Sequence, residues 1–443
     1  MNAIPHQALA AIVIFAIAYA LIATERMHRT VVALAGAAAV LGSGLVPQSE
    51  AFGSRGGGID WNVIFLLLGM MIIVNLTRKT GLFQWIAIKA AKAARGEPFR
   101  VLILLAAVTA LLSAFLDNVT TVLFMAPVTL LIADGLGINP IPLLIVQVIA
   151  SNVGGTATLI GDPPNIMIGS AAELGFASFL TNLAPICIAI FVALIPMFSW
   201  MFRGQLRPPP DARERLAGFD ETRAITDRRL LHRCVVVLAL TFVGFSLHER
   251  FHLQPATVAL VGAALLLVVS KADVDEVLHE VEWSTLLFFI GLFVMISALT
   301  HTGVIHAIAN WLLGKAAHHP GSTAIGLLWL SAAASSLVDN IPFVGTANPM
   351  LAEMAVSLAG PGVPRAVALH SHTMMMMWWS LALGACLGGN ATLVGASANV
   401  VVAGIAERAG HPIRFREFMR YGIPVTLVSI ILSTAYVWLR YIR

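Results

Sequence analysis

Two short polar interruptions of an otherwise oily chain occur twice, at a fixed spacing. Leu116-Asp117-Asn118-Val119 returns as Val338-Asp339-Asn340-Ile341, and GGTATLIGDPPN at 154–165 returns as GGNATLVGASAN at 388–399. The first offset is 222 residues, shared by Trp61 and Trp283, Gly69 and Gly291, Gly81 and Gly303, and Ser113 and Ser335. Downstream, Gly155, Thr158, Gly161 and Asn165 match Gly389, Thr392, Gly395 and Asn399 at an offset of 234, so one 12-residue insertion separates the two registers. A constant offset across unrelated residue types marks two copies of one structural unit. In a very apolar chain, such a duplication points to a secondary transporter that holds its solute between the copies.

Composition enters here because it selects the solvent. Hydrophobic residues make up 58% and charged residues 11%, against about a quarter charged in ordinary soluble domains. Apolar runs recur at 8–23, 31–46, 63–76, 183–202, 235–247, 256–270, 284–300 and 425–439. A bilayer core of about 30 Å needs roughly 20 such residues as helix, fewer where flanking groups snorkel. The expected fold is an all-α integral membrane protein with about ten transmembrane helices, two re-entrant hairpins and two broken helices. No Lys or Arg precedes Glu25, so the first run lacks a secretory n-region and reads as a retained membrane helix. Cys187, Cys234 and Cys386 are too far apart in sequence to predict a metal cluster or a disulfide framework.

Charge location sets the expected topology. Turns at 25–30, 78–100, 135–141, 203–233, 271–282 and 403–420 carry 21 of the Lys and Arg residues; the opposite side, termini included, carries six. The first set is therefore predicted to be cytoplasmic, with both termini outside the cytoplasmic (inner) membrane. Five crossings per half plus one segment that returns to its own side require the second copy to be inverted. The expected units are a first repeat at 1–202, a linker at 203–233 and a second repeat at 234–443. The linker holds Pro208 to Pro210, eight Arg and five acids, and reads as a solvated connector. The net charge of +4 is accounted for by these turns, so no nucleic acid partner is expected.

The copies interrupt their helices at matching places. Asp117-Asn118 splits a hairpin at about 100–134, and Asp339-Asn340 splits its equivalent at about 322–354. A single helix over 142–170 would be about 44 Å long, more than the bilayer core. Pro163 and Pro164 lack N–H groups and crowd the preceding turn, so this helix must open at Gly161-Asp162. The second broken helix, about 373–405, has no proline there. Its opening would rest on Gly395 and on side-chain hydrogen bonds from Ser397 and Asn399. Unwound backbone at membrane depth survives only where it is enclosed or lines a wet cavity. Helix N-termini exposed there present amides to anions and hydroxyls, and C-termini present carbonyls to cations.

Acids in apolar segments are costly and usually functional, so Asp117 and Asp339 are the candidate proton-coupling groups. The bland alternative is that each simply caps the helix that follows. Asn118 and Asn340 either bridge tip and ligand or hold the tip together. Asp162 has Ala396 as its counterpart, and reads as either a lone coupling acid or an Asx-type turn former. Thr156, Thr158, Asn165, Asn390, Thr392, Ser397 and Asn399 place neutral oxygens and amides about the breaks, suited to a small hydroxylated solute. Met374 to Met377 with Trp378 and Trp379 read as packing or lipid contact. His370 and His372 are too close in sequence to share a helix face. Cys386 reads as a small buried hydrophobe.

At LSAFLDNVTTV, GGTATLIGDPPNIMI, SSLVDNIPF and GACLGGNATLVGASANVV the chain resembles the ion transporter superfamily, in particular the group of arsenite permeases, NhaD-type sodium/proton antiporters and the P protein. The similarity runs from about Trp61 to the C-terminus. It implies an inverted-repeat permease, commonly dimeric, with scaffold and transport domains and an elevator-like motion. Its sites are implied at Asp117, Asn118, Gly161, Asp162, Asn165, Asp339, Asn340, Gly395, Ser397 and Asn399. Dicarboxylate and sodium-coupled relatives carry Ser-Asn-Thr at the tips. Asp-Asn here weakens a dianion and strengthens proton or cation coupling. The leading expectation is proton-coupled export of neutral arsenite or antimonite, without cofactor, catalytic residue or bound metal. With no G-x-x-x-x-G-K-[ST], an ion gradient should drive it, and a separate ATPase partner stays open. Na⁺/H⁺ exchange, an intramembrane aspartyl protease built on Asp117 and Asp339, and a channel are the alternatives.

Overall fold

The computed structural model describes residues 6–24, 26–53, 57–206 and 221–443; the N-terminal residue, Arg55 and the proline run of the linker lie outside them. Among the described residues the chain is helical throughout, with no strand. Its helices of ten residues or more fall into two series of nine. The first comprises α1 (His6–Ala23), α2 (Arg29–Gly42), α3 (Trp61–Lys79), α4 (Leu82–Ala93), α5 (Pro98–Phe115), α6 (Asn118–Leu136), α7 (Ile141–Thr156), α8 (Pro163–Ala172) and α9 (Ala184–Met201). The second comprises α10 (Arg228–Leu247), α11 (Pro255–Ser270), α12 (Trp283–His301), α13 (Val304–His318), α14 (Pro320–Leu337), α15 (Asn340–Ala359), α16 (His372–Gly388), α17 (Ser397–Arg408) and α18 (Phe415–Val437). Each helix of the first series has its counterpart nine places later. Among the described residues, eight helices are long and apolar enough to cross a membrane: α1, α3, α5, α6, α9, α10, α12 and α18. The chain is a multi-pass membrane protein.

Burial sorts these helices into core and rim. The apolar stretches of α3 and α12 are 72% buried, whereas those of α1 and α10 are 22% buried. An apolar helix left bare by its own protein is covered by lipid, since hydrocarbon costs it nothing. Two central helix crossings are built instead on small residues. At Gly69 of α3, an added Cβ would stand 2.7 Å from the Ala259 carbonyl carbon of α11; at Gly291 of α12, it would stand 2.6 Å from that of Ala33 in α2. Close backbone approach through small residues is how membrane helices gain packing without a hydrophobic drive. Replacing either glycine by leucine is expected to cost about 1–3 kcal/mol or more by overpacking. Thermal melting in detergent would show it, with Gly326→Ala, where the space is open, as the unchanged control.

The same contacts give the register of the duplication in space. Gly69 and Gly291 are 222 residues apart and Ala33 and Ala259 are 226 apart, so α2 pairs with α12 as α11 pairs with α3. At the start of each pair, Thr30 donates to the Ser284 carbonyl at 2.7 Å and the Ala256 amide donates to the Asn62 side chain at 3.0 Å. Gly81 and Gly303, with φ of 78° and 79°, turn the chain into α4 and α13 by a left-handed step that favours glycine. Met376, Met377, Trp378 and Trp379 are buried in α16, with Trp379 edge-on to Phe179 at 5.1 Å.

Two sequence expectations about turns need correction. The segment 78–100 is mostly the helix α4, because its apolar face of Phe83, Ala87, Ile88 and Ala91 is buried while Lys89 points outward along Trp85. The end of the linker is docked as well. Thr226 donates its amide to Thr80 O at 3.1 Å and its hydroxyl to Lys79 O at 2.5 Å, and Lys92 pairs with Glu221 at 2.5 Å.

Candidate functional site

Each copy interrupts its backbone twice, and local chemistry explains how. Asp117 is the N-cap of α6: its carboxylate accepts from the amides of Val119 and Thr120 and from the Thr120 hydroxyl. Asp339 caps α15 by accepting from the Ile341 amide at 3.2 Å. Both acids therefore do the capping work, which orients them and leaves the second function open. The broken helices open between α7 and α8 over 157–162, and between α16 and α17 over 389–396. Pro163 and Pro164 begin α8, where their missing N–H groups are not needed. The opening without proline is held by Asn399, whereas Ser397, also expected to hold it, donates to Asp339 instead. Asn399 donates to Gly389 O and Thr392 O, both at 2.8 Å, just as Asn165 donates to Thr156 O at 3.0 Å and Thr158 O at 2.9 Å.

The remaining polar groups repeat the symmetry. Thr158 donates to Ala114 O and Thr392 to Ser336 O; Ser113 donates to Ser151 O and Ser335 to Ala385 O. Gly155 and Gly389 lie so close to Gly161 and Gly395 that an added Cβ would stand 2.6 Å and 2.7 Å from their carbonyl oxygens. Thr156 donates to Asn152 O at 2.6 Å. Thr158, Thr392, Asn165 and Asn399 thus fasten the unwound segments, while Thr156 bonds back within α7. Between the copies sits Asn152, which donates to Asn390 Oδ1 at 2.9 Å and Asn399 Oδ1 at 3.0 Å and accepts from Asn118 at 3.2 Å. Cys386, its counterpart at the 234-residue offset, reaches Asn165 Oδ1 at 3.5 Å. It is buried, and it also lies against Asp162.

Tips and breaks converge on one small pocket. Asp117, Asn118, Asp162, Asn340 and Ser397 line a space of about 20 Å³, enough for a water or a bare cation. The Asn118 amide donates to Gly161 O at 3.1 Å, tying tip to break. Asp162 is 1% exposed, its Oδ2 has no hydrogen-bond partner, and it caps nothing in α8. The turn-former reading of Asp162 therefore lacks its geometry. The Oδ1 of Asn118 and the Nδ2 of Asn390 are also buried without partners. On the opposite side of the molecule, a wide crevice of about 1790 Å³ runs between α12 and α15, with Asp60, Asn62, Thr300, Asn348 and His370 on its walls.

Two contributors to this pocket, and one residue behind it that binds Asn118, escaped the sequence reading. Arg29 and Glu282, assigned there to cytoplasmic turns, enter it at the first turn of α2 and just before α12. Arg29 Nη1 donates to Asp339 Oδ2 at 3.3 Å and to the Ser397 hydroxyl, which itself donates to Asp339. Its guanidinium lies 5.3 Å from the Phe288 ring centre. Glu282 accepts from Thr285 at 3.1 Å. Asn152 stood in an apolar run like the two aspartates, and that isolation was the signal to weigh it. His370 and His372 bind separate carbonyls, Ala172 O and Tyr441 O. Four carboxylates and one guanidinium share the region, close enough to feel one another's charge.

Comparison with known proteins matches this architecture. The citrate transporter (CitMHS) family model matches residues 19–384. An uncharacterized transporter of Mycobacterium tuberculosis is 48% identical over 97% of this chain and 98% of its own length. The P protein of Homo sapiens is 34% identical over 98% of this chain and 60% of its own length. Two solved transporters share the fold: Alcanivorax borkumensis YdaH, at 14% identity, TM-score 0.57 and 98% coverage of both chains, and Neisseria gonorrhoeae MtrF, at 12% identity, TM-score 0.57 and 100% and 96% coverage. This chain belongs to the citrate transporter family within the ion transporter superfamily, and it is a membrane transporter.

Proposed function

We propose that the protein is a proton-coupled secondary transporter that exports a small neutral hydroxylated solute, arsenite or antimonite, across the cytoplasmic membrane. Asp117, Asp162 and Asp339 would carry the coupling protons. Asn118, Asn340 and Ser397 would meet the solute, while Gly161, Gly395, Asn390 and the backbone-holding Thr and Asn side chains shape the space. The observation that carries this reading is the convergence of three carboxylates, Asp117, Asp162 and Glu282, and the Arg29 guanidinium on a single pocket, with Asp339 paired to Arg29 beside it. Such a charge set repels an uncompensated tricarboxylate, so the substrate in the family's name fits it poorly, whereas a neutral solute or a cation escapes that penalty. Inverted repeats, a hairpin-bearing transport unit moving as an elevator against the α2/α12 and α3/α11 pairs, outward-facing termini and a homodimer complete the proposed arrangement.

Na⁺/H⁺ exchange is the second reading, favoured by the cation-sized space and the unpaired Oδ1 of Asn118. Uptake into inside-out vesicles with an imposed pH gradient separates the readings. Arsenite, antimonite, citrate and Na⁺ are compared on wild type, Asp117→Asn and Asp339→Asn. Gradient-driven arsenite uptake that falls at least about tenfold in either variant is expected, a loss of ~1.4 kcal/mol or more in coupling. Arsenite flux that is indifferent to the gradient and to both substitutions would refute coupled export. Collapse of the pH gradient by Na⁺ alone would favour the exchanger.

A further inference from the structure

We infer that Arg29 is a one-sided latch of the transport cycle: its guanidinium plugs the pocket and pins Asp339 to α2, making the conformation seen here the resting one. Three observations support this. Arg29 bridges Asp339 of α15 and Ser397 of α17 from a different helix pair, α2 with α12. Its charge acts on Asp117 and Glu282 as well as on Asp339, and only 29% of its side chain is exposed. The third is an asymmetry. Residues of α2 and α11 correspond at an offset of 226, so the counterpart of Arg29, the first residue of α2, is Pro255, the first residue of α11.

Proline offers neither charge nor N–H. If the two copies exchange roles when the transporter turns its site toward the other side, Asp117 approaches Pro255, where no cation meets it. The ion pair therefore stabilises one state and has no equal in the other, and only an interaction that differs between states shifts their populations. Neutralising Asp339 by a proton, or outcompeting Arg29 with a cation, releases the latch and vacates the pocket. Tyr19, Asp117, Asp162 and Glu282 also lie within reach of this pair's charges. Arg29 acts here as a positioning residue, and the inference rests on the transporter reading without depending on the cargo.

The test reads conformation without any solute. Thr300→Cys puts a thiol on the wall of the wide crevice, and Ser322→Cys puts one at the exposed start of helix α14 as control. Native Cys187, Cys234 and Cys386 are buried and give low background. Labelling by a charged maleimide is followed in lipid nanodiscs, where both faces meet the reagent. In the Arg29→Gln background, the Thr300→Cys rate should fall about fivefold or more as the crevice closes, while the Ser322→Cys rate stays constant. Arg29→Lys should restore part of the rate, and lowering the pH should slow labelling only where Arg29 is present. Asp339→Asn removes the same pair from its other end and must behave like Arg29→Gln, which keeps the test alive if one variant misfolds. Equal Thr300→Cys rates in all backgrounds, or faster labelling of the buried native cysteines alone, would overturn the latch.

Discussion

Asp162→Ala is expected to leave the fold intact and to abolish gradient-driven transport. The duplication supplies the structural half of this expectation. Ala396 occupies the equivalent place, with φ −148° and ψ 139° against −144° and 130° at Asp162, so alanine is already accepted by this backbone. Asp162 makes no capping bond, and its buried Oδ2 has no partner. Relief of the unsatisfied oxygen is offset by the partners lost at Cys386 and Asn340, so the variant should melt close to the wild-type temperature. The functional half follows from position. A carboxyl group walled off from water beside Asn340 and Cys386 can change protonation only when the pocket changes. Melting in detergent and proton-driven flux in vesicles, measured on the same preparation, decide it. Unaltered flux would reduce Asp162 to a bystander, and a lost fold would show that the second copy is a poor guide to the first.

How much of this was readable beforehand depends on what each feature is made of. The helix interruptions were legible because Asp-Asn, Gly-Asp-Pro-Pro and paired glycines act on their own backbone within a few residues. The proline-free opening at Gly395 was legible for the same reason, since Asn399 repeats what Asn165 does. Arg29 was not. A cation at the start of an apolar helix has the same local appearance whether it snorkels to a headgroup or turns inward. Here it turns inward because Asp339, 310 residues away, supplies the partner. The fates of Thr156 and Thr158 were also hidden, because donation to a carbonyl and exposure to a solute look alike until the fold chooses between them. Asn152 was hidden in plain view. Its neighbours across the interface come from Asn390 and Asn399, which only the docking of the two copies brings near.

That docking makes Asn152→Ala the most damaging single polar substitution expected in the molecule. The wild-type amide satisfies two acceptors, Asn390 Oδ1 and Asn399 Oδ1, and one donor, Asn118 Nδ2, all buried. Each orphaned group costs about 1–3 kcal/mol, so the sum is about 3–6 kcal/mol after partial relaxation. That is comparable with the whole stability of many domains, about 5–15 kcal/mol. Asn390 already has one unsatisfied side-chain atom and has little to fall back on. Asn152→Cys should be milder, because Cys386 holds the equivalent position and donates to Asn165, the counterpart of Asn399. A thiol at 152 could restore the bond to Asn399 while losing the one to Asn390. Detergent melting of the two variants should therefore rank alanine well below cysteine, and both below wild type. The reverse order, or an alanine variant as stable as wild type, would show that the two copies are held together by helix packing and that the amide at their junction contributes little.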